Sequence, residues 1–276
     1  MASEGSISAG KHASVRALDA DKPGRSPANR SLERGVEILR AFRPGSTLLG
    51  NAELAERTGL SKATVSRLTQ TLVGMGMLQP DPPTRALRLA PAVLSLAHAM
   101  RSGSAVLSTA APLMRATAEA YKINVGLAAP DRDEMVYLES IRYNRRPSLR
   151  SVVSGQRVPM ELTSLGRAYL HSATETRRKA LLAHFKRERG AQWKTLGPAI
   201  TESLRSMDDN GYCAATWQPE VVAVATSLVV HGSHYALNVS VSTQSQVQET
   251  VEDLAPPLMT LKVKLERELE RMDTFV

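Results

Sequence analysis

The sequence predicts an α+β chain in two folded units: a small N-terminal bundle of three helices closed by a two-stranded ribbon, then a connecting helix and a larger domain on an antiparallel sheet. Three observations predict this. Between residues 29 and 90 apolar residues recur at helical spacing three times and then switch to short extended runs around a Pro-Pro turn. From Ile123 the apolar residues become continuous and rich in β-branched types. The chain has 276 residues, more than one typical core needs.

Residues 1–28 are rich in Ser, Ala, Gly and Asp and lack an apolar period, so a tail unable to offset its ordering entropy is expected there. The first helix is expected to be capped by Ser31, to face inward with Leu32, Val36, Leu39 and Phe42, and to stop at Pro44-Gly45. A second helix starts at Gly50 or Asn51, buries Leu54 and Ala55, and ends at Gly59, a residue suited to a left-handed turn. Ser61 caps a third helix running to about Met75, with Val65, Leu68, Leu72 and Met75 inward. Met77–Gln79 and Arg85–Leu89, around the turn at Asp81-Pro82-Pro83, complete a ribbon. Three helices and a hairpin in this order make a winged helix-turn-helix.

Pro91 opens a linker helix over 91–104 whose apolar face (Val93, Leu94, Leu96, Ala97, Met100) is wider than a monomeric surface helix needs, so part of it is expected to meet a second copy. The second domain, 105–276, begins with a helix over Leu107–Tyr121. Hairpins are predicted at Asn124–Ala128 with Glu134–Ile141 and at Val221–Val230 with His234–Ser242. Helices are predicted at Thr163–Leu170, Arg177–Lys186, Pro198–Asn210 and about Gln246–Met272.

Composition narrows the function. A formal charge of +8 favours a polyanionic partner, although residues 31–90 carry a cationic surplus of only three, so charge does not locate the contact. Cys213 is the only cysteine, which excludes an intrachain disulfide and a cysteine zinc cluster. Its environment is expected to be that of a small buried residue. His231 and His234 lack further ligands at motif spacing, and no phosphate-binding glycine loop, nucleophile elbow or paired catalytic carboxylates stand out. Neither a signal peptide nor a membrane-spanning apolar run is present, so a cytoplasmic protein without cofactor or metal is expected.

Ala55 followed four residues later by Gly59, with Val65 and Leu68 beyond, is the spacing of a helix-turn-helix. The third helix turns Lys62, Ala63, Thr64, Ser66, Arg67, Thr69 and Gln70 outward, short or polar side chains that suit a major groove of double-stranded DNA. Arg67 and Gln70 have the geometry for bidentate contacts with guanine and adenine, whereas Ser61, Lys62 and Thr64 near the helix N-terminus suit phosphates. Arg85 and Arg88 on the wing suit the backbone or a narrow minor groove.

These residues resemble the IclR family of bacterial transcriptional regulators. The resemblance rests on Ser31–Leu39, Ala55–Leu68, Leu87–Leu89, Arg157–Leu170, Gly211–Cys213, Ala223–Ala225 and Asn238–Val241. It implies a GAF-like effector-binding domain, dimers or dimers of dimers, and a small organic acid or aromatic catabolite as effector. By family position the pocket is expected to be lined by Ser164, Leu165, Ala215, Ala223, Ala225, Val239 and Val241, with Arg150 nearby. Two features depart from the family pattern: Ala214 and Ala215 stand where polar or acidic residues are common, and Val239 and Val241 stand for strand serines. An apolar lining follows, favouring an aromatic or hydrophobic acid. Of Arg142, Arg145, Arg146 and Arg150, one guanidinium could pair with its carboxylate, while most of the four are expected to form a solvated basic loop. Two other readings stay open: an architectural DNA binder without ligand, and an enzyme whose winged helix is an interaction module.

Overall fold

The computed structural model describes residues 29–143, 153–218 and 220–273, and the chain divides into two compact units at Met100/Arg101. In the first unit, α1 (Arg30–Arg40), α2 (Asn51–Thr58) and α3 (Lys62–Gly74) precede an antiparallel ribbon, β1 (Leu78–Asp81) with β2 (Ala86–Leu89). The core under these elements is aliphatic: Ile38, Leu49, Leu54, Val65 and Leu78 are essentially inaccessible, and Phe42 closes one end. Leu49 exchanges backbone hydrogen bonds with Leu87 (3.0 and 2.9 Å), which fastens the ribbon to the loop before α2.

Two expectations for α1 are corrected. Its cap is Asn29, whose Oδ1 accepts from the amides of Ser31 and Leu32 at 3.1 Å, and not Ser31. Gly35 and Ile38 are its buried residues, Leu39 and, just past its end, Phe42 pack on the core as expected, while Leu32 and Val36 are exposed. The helix therefore starts earlier and is rotated from the predicted phase. In α3, Met75 is the exposed C-cap residue rather than an inward one.

The helix α4 (Ala92–Ser102) crosses the division between the units and has no buried residue. Leu94, Leu96 and Met100 are each more than half exposed.

The second unit is a six-stranded sheet with helices on both faces. Its strands are β3 (Asn124–Asp131), β4 (Glu134–Ile141), β5 (Arg157–Pro159), β6 (Cys213–Ala215), β7 (Val221–Val230) and β8 (Ser233–Ser242), in the order β5-β4-β3-β8-β7-β6. Every neighbouring pair is antiparallel, as the sequence predicts. The three-residue strands β5 and β6 were not expected; each is too short to show a period of two.

On one face Val125, Leu127, Val222, Val224, Leu237 and Val239 pack against α5 (Ala105–Tyr121) and α9 (Val247–Asp273), which presents Leu254, Leu258, Leu261, Leu265 and Leu269 at spacings of three and four. The other face carries α6 (Ser164–Ser172), with α8 (Trp193–Asn210) packed on α6 and α7 (Glu175–Arg189) packed on α8. The α8 helix begins five residues before the expected Pro198, which lies inside it.

Candidate functional site

In the first unit, Gly59 takes the left-handed conformation (φ 67°) that turns the chain from α2 into α3. Ser61 Oγ accepts from the Thr64 amide at 3.3 Å and caps α3. Arg57 anchors α2 from behind, donating to the Ala41 carbonyl (3.2 Å) and Ser46 Oγ (3.3 Å). With Val65 fully buried beneath it, α3 presents Lys62, Ala63, Arg67 and Gln70 to solvent, and Thr64 and Ser66 are partly exposed beside them. Ala63, Arg67 and Gln70 lie in one row at i, i+4 and i+7.

Thr69 is a correction. Expected outward, it is 3% exposed. Its hydroxyl lies 3.0 Å from the Ser66 carbonyl and 3.4 Å from Asn51 Oδ1, so it packs between α3 and α2. On the wing both arginines are exposed. Arg85 holds φ 55° at the turn, where Thr84 Oγ1 donates to Asp81 Oδ2 at 2.6 Å, and Arg88 stands 3.7 Å from Asp81 Oδ1.

In the second unit a cavity of about 70 Å³ opens between the sheet and the start of α6. Ser164, Leu165, Ala215 and Ala223 line it, as expected. So do Tyr137 and Val158 from the β4–β5 side, Thr163, Trp217, Gln218 and Val221, and Asn238 and Ser240 from β8. Thr163 Oγ1 accepts from the Gly166 amide at 3.3 Å and caps α6, whose first two residues, Ser164 and Leu165, line the cavity. A Cβ at Gly166 would fall 1.9 Å from the Met160 carbonyl oxygen; only glycine lets α6 approach this closely.

Three expected lining residues are corrected. Val239 is fully buried in the core against α5 and α9, and Val241 packs against the same core. Successive strand side chains point to opposite faces, so the cavity face of β8 carries Asn238 and Ser240. Ala225 lies on the cavity side of β7 but deeper, fully buried and paired with Cys213, and does not line the space. Arg150, with Arg145 and Arg146, lies outside the described residues. The wall is thus more polar than the sequence reading had it.

Tyr137 and Asn238 meet at this wall. The Asn238 side chain hydrogen-bonds the Tyr137 hydroxyl, and burial, offset by that bond, pushes the phenol up to about 12. Both groups lean over Gly126, where a Cβ would come within 2.5 Å of Asn238 Oδ1 and of the Tyr137 ring. Cys213, behind the cavity, donates its thiol to the Ser164 carbonyl at 3.5 Å. Burial pushes that thiol up to about 12, so it is protonated and unreactive at neutral pH. His234 Nδ1 lies 3.2 Å from Ser172 Oγ, and its ring stands edge-on to Tyr169.

The model of the IclR helix-turn-helix domain matches residues 31–82, and that of the bacterial transcriptional regulator IclR C-terminal domain matches residues 98–264. The chain belongs to the IclR family. It is therefore a DNA-binding transcriptional regulator and not an enzyme. It is 32% identical over 248 residues to the HTH-type transcriptional regulator TsaQ1/TsaQ2 of Comamonas testosteroni, an alignment covering 87% of this chain and 88% of that one. An IclR family regulator from Brucella abortus superposes with a TM-score of 0.80 at 32% identity, covering 92% of this chain and 98% of that one. A more distant IclR homologue from Microbacterium hydrocarbonoxydans, solved with 4-hydroxybenzoate, shares the fold at 23% identity and a TM-score of 0.63, with coverage of 86% and 99%.

Sequence reasoning about this IclR regulator missed Tyr137, Asn238 and Ser240. A signal for two of them was present: Leu237, Val239 and Val241 alternate with Asn238, Ser240 and Ser242, and such alternation puts the aliphatic residues on one face and the polar ones on the other. Tyr137 had no such signal, because only the pairing of β4 with β3 brings it over Gly126.

Proposed function

We propose that this regulator binds a pseudo-palindromic promoter site as a dimer or dimer of dimers, and that a small aromatic or hydrophobic organic acid in the C-terminal cavity changes its occupancy of that site. The cavity carries the reading: it combines an aromatic and aliphatic wall with a few convergent polar groups at a helix N-terminus, the composition of a small-molecule site. No described lining residue is charged, so the carboxylate is received by the amides of Ser164 and Leu165 in the first turn of α6, where the helix dipole favours an anion. The homologue from Microbacterium hydrocarbonoxydans binds an acid of this class.

Ser61, Lys62, Ala63, Thr64, Ser66, Arg67 and Gln70 form the DNA-contacting surface of α3, and Arg85 and Arg88 extend it through the wing. Thr69 acts from behind by holding α3 on α2. The unburied apolar side chains of α4 supply contacts between copies. We assign the regulator to the cytoplasm and its target to a catabolic operon.

The test is selection of random duplexes by the full-length protein at physiological salt, followed by occupancy measurements on the enriched sequence with and without benzoate-class acids. Enrichment of two half-sites about 34 Å apart, or a multiple of that spacing, is expected. No enrichment rejects the operator reading, and an occupancy and melting temperature indifferent to every acid reject the sensing reading.

A further inference from the structure

The polar corner of the cavity holds an unmet demand. Asn238 is 5% exposed, and its Oδ1 has no hydrogen-bond partner. Its backbone is fixed on both sides, paired with Gly126 of β3 and Ala225 of β7. Its amide N–H is spent on the Tyr137 hydroxyl, which leaves the phenolic hydrogen free to donate. Two residues along β3, Asn124, paired with Ser240, has a second buried Oδ1 without a partner. A buried acceptor left unpaired is costly, and it selects for a ligand that brings a donor.

We propose that Asn238 and Tyr137 determine specificity by reading a neutral hydroxyl on the effector: the ligand O–H donates to Asn238 Oδ1 and its oxygen accepts from the Tyr137 phenol. The inference rests on the cavity being the effector site and narrows the effector to a hydroxylated aromatic acid. A hydroxyl is the simplest group that gives and receives one hydrogen bond at a single atom. A methyl group of similar size does neither, and it would seal the Asn238 oxygen from any partner. Gly126 lets both groups sit together against the β3 backbone, since a Cβ there would come within 2.5 Å of each.

Calorimetric titration of the full-length protein with benzoate and with the three hydroxybenzoates and three methylbenzoates tests this. At least one hydroxybenzoate is expected to bind about tenfold or more tightly than benzoate and than its methyl counterpart. In Asn238→Leu that ratio is expected to collapse to within about threefold while cooperative melting is retained. Tyr137→Phe keeps the ring over Gly126 and is expected to lose part of the ratio, so it decides the matter if the leucine variant does not fold. Equal binding of hydroxylated and unhydroxylated acids by the wild-type protein, or a ratio intact in a folded variant, overturns the inference and leaves the aromatic-acid reading standing. Binding of none of the acids overturns both.

Discussion

Val239 and Ser240 are neighbours on β8 with opposite surroundings, and the difference sets what each can do. Val239 is fully buried among Val125, Val224 and the leucines of α9. Ser240 faces the cavity. Val239→Ser places an unpaired hydroxyl in an aliphatic core and is expected to cost about 1–3 kcal/mol in urea denaturation. Ser240→Ala is expected to stay within about 0.5 kcal/mol of wild type by the same measurement while altering effector affinity. The reverse pattern would return Val239 to the cavity. A one-residue slip in phase moved the expected lining from the polar to the aliphatic side of β8, whereas Ser164, Leu165, Ala215 and Ala223 do line the cavity.

At the scale of elements, the last turn of α4 contributes Arg101 to the second unit, where it donates to Glu139 of β4 at 2.6 Å and to the Leu138 carbonyl. Glu139 also accepts from the Ser140 amide at 2.9 Å. Burial alone would raise the Glu139 carboxyl, but the Arg101 hydrogen bond and charge together with the Ser140 amide outweigh it and hold the carboxyl below its ordinary value of 4.5. A carboxyl held low in the folded state adds stability above its unfolded value, and that contribution is lost as pH falls through the lowered one. Melting temperature followed against pH should therefore fall less steeply on the acid side in Glu139→Gln than in wild type. Identical acid limbs would mean that Arg101 gains nothing from this partner. Neither the pair nor β5 and β6 was legible in the sequence, because ion pairing across 38 positions and three-residue strands leave no local period. The long elements were legible, down to Ser61 as the cap of α3 and the left-handed turn at Gly59. In α1 the side chain of Asn29 outcompeted Ser31 as cap.

For the whole molecule, a charge of +8 adds attraction to DNA that weakens with salt, whereas discrimination among sequences depends on a few side chains in the groove. Arg67 is exposed in the middle of the outward row of α3, and its truncation removes the side chain best shaped to grip a guanine edge. Arg67→Ala is expected to weaken binding to the selected duplex by about 1–3 kcal/mol while leaving random DNA nearly unaffected, as read by fluorescence anisotropy across a salt series. Equal weakening on both duplexes would assign Arg67 to phosphate. No described helix is long and apolar enough to cross a membrane.

The sequence by itself determined the family, the order of the long helices and hairpins, and the outward row on α3, because these depend on spacings of a few residues that local geometry enforces. Only the tertiary structure decided which face of β8 meets the cavity, that Thr69 is buried, and that Tyr137, Asn238 and Gly126 share one corner. Those outcomes depend on strand register and on the approach of distant elements, and side-chain periodicity within one segment carries no information about which neighbour that segment will meet.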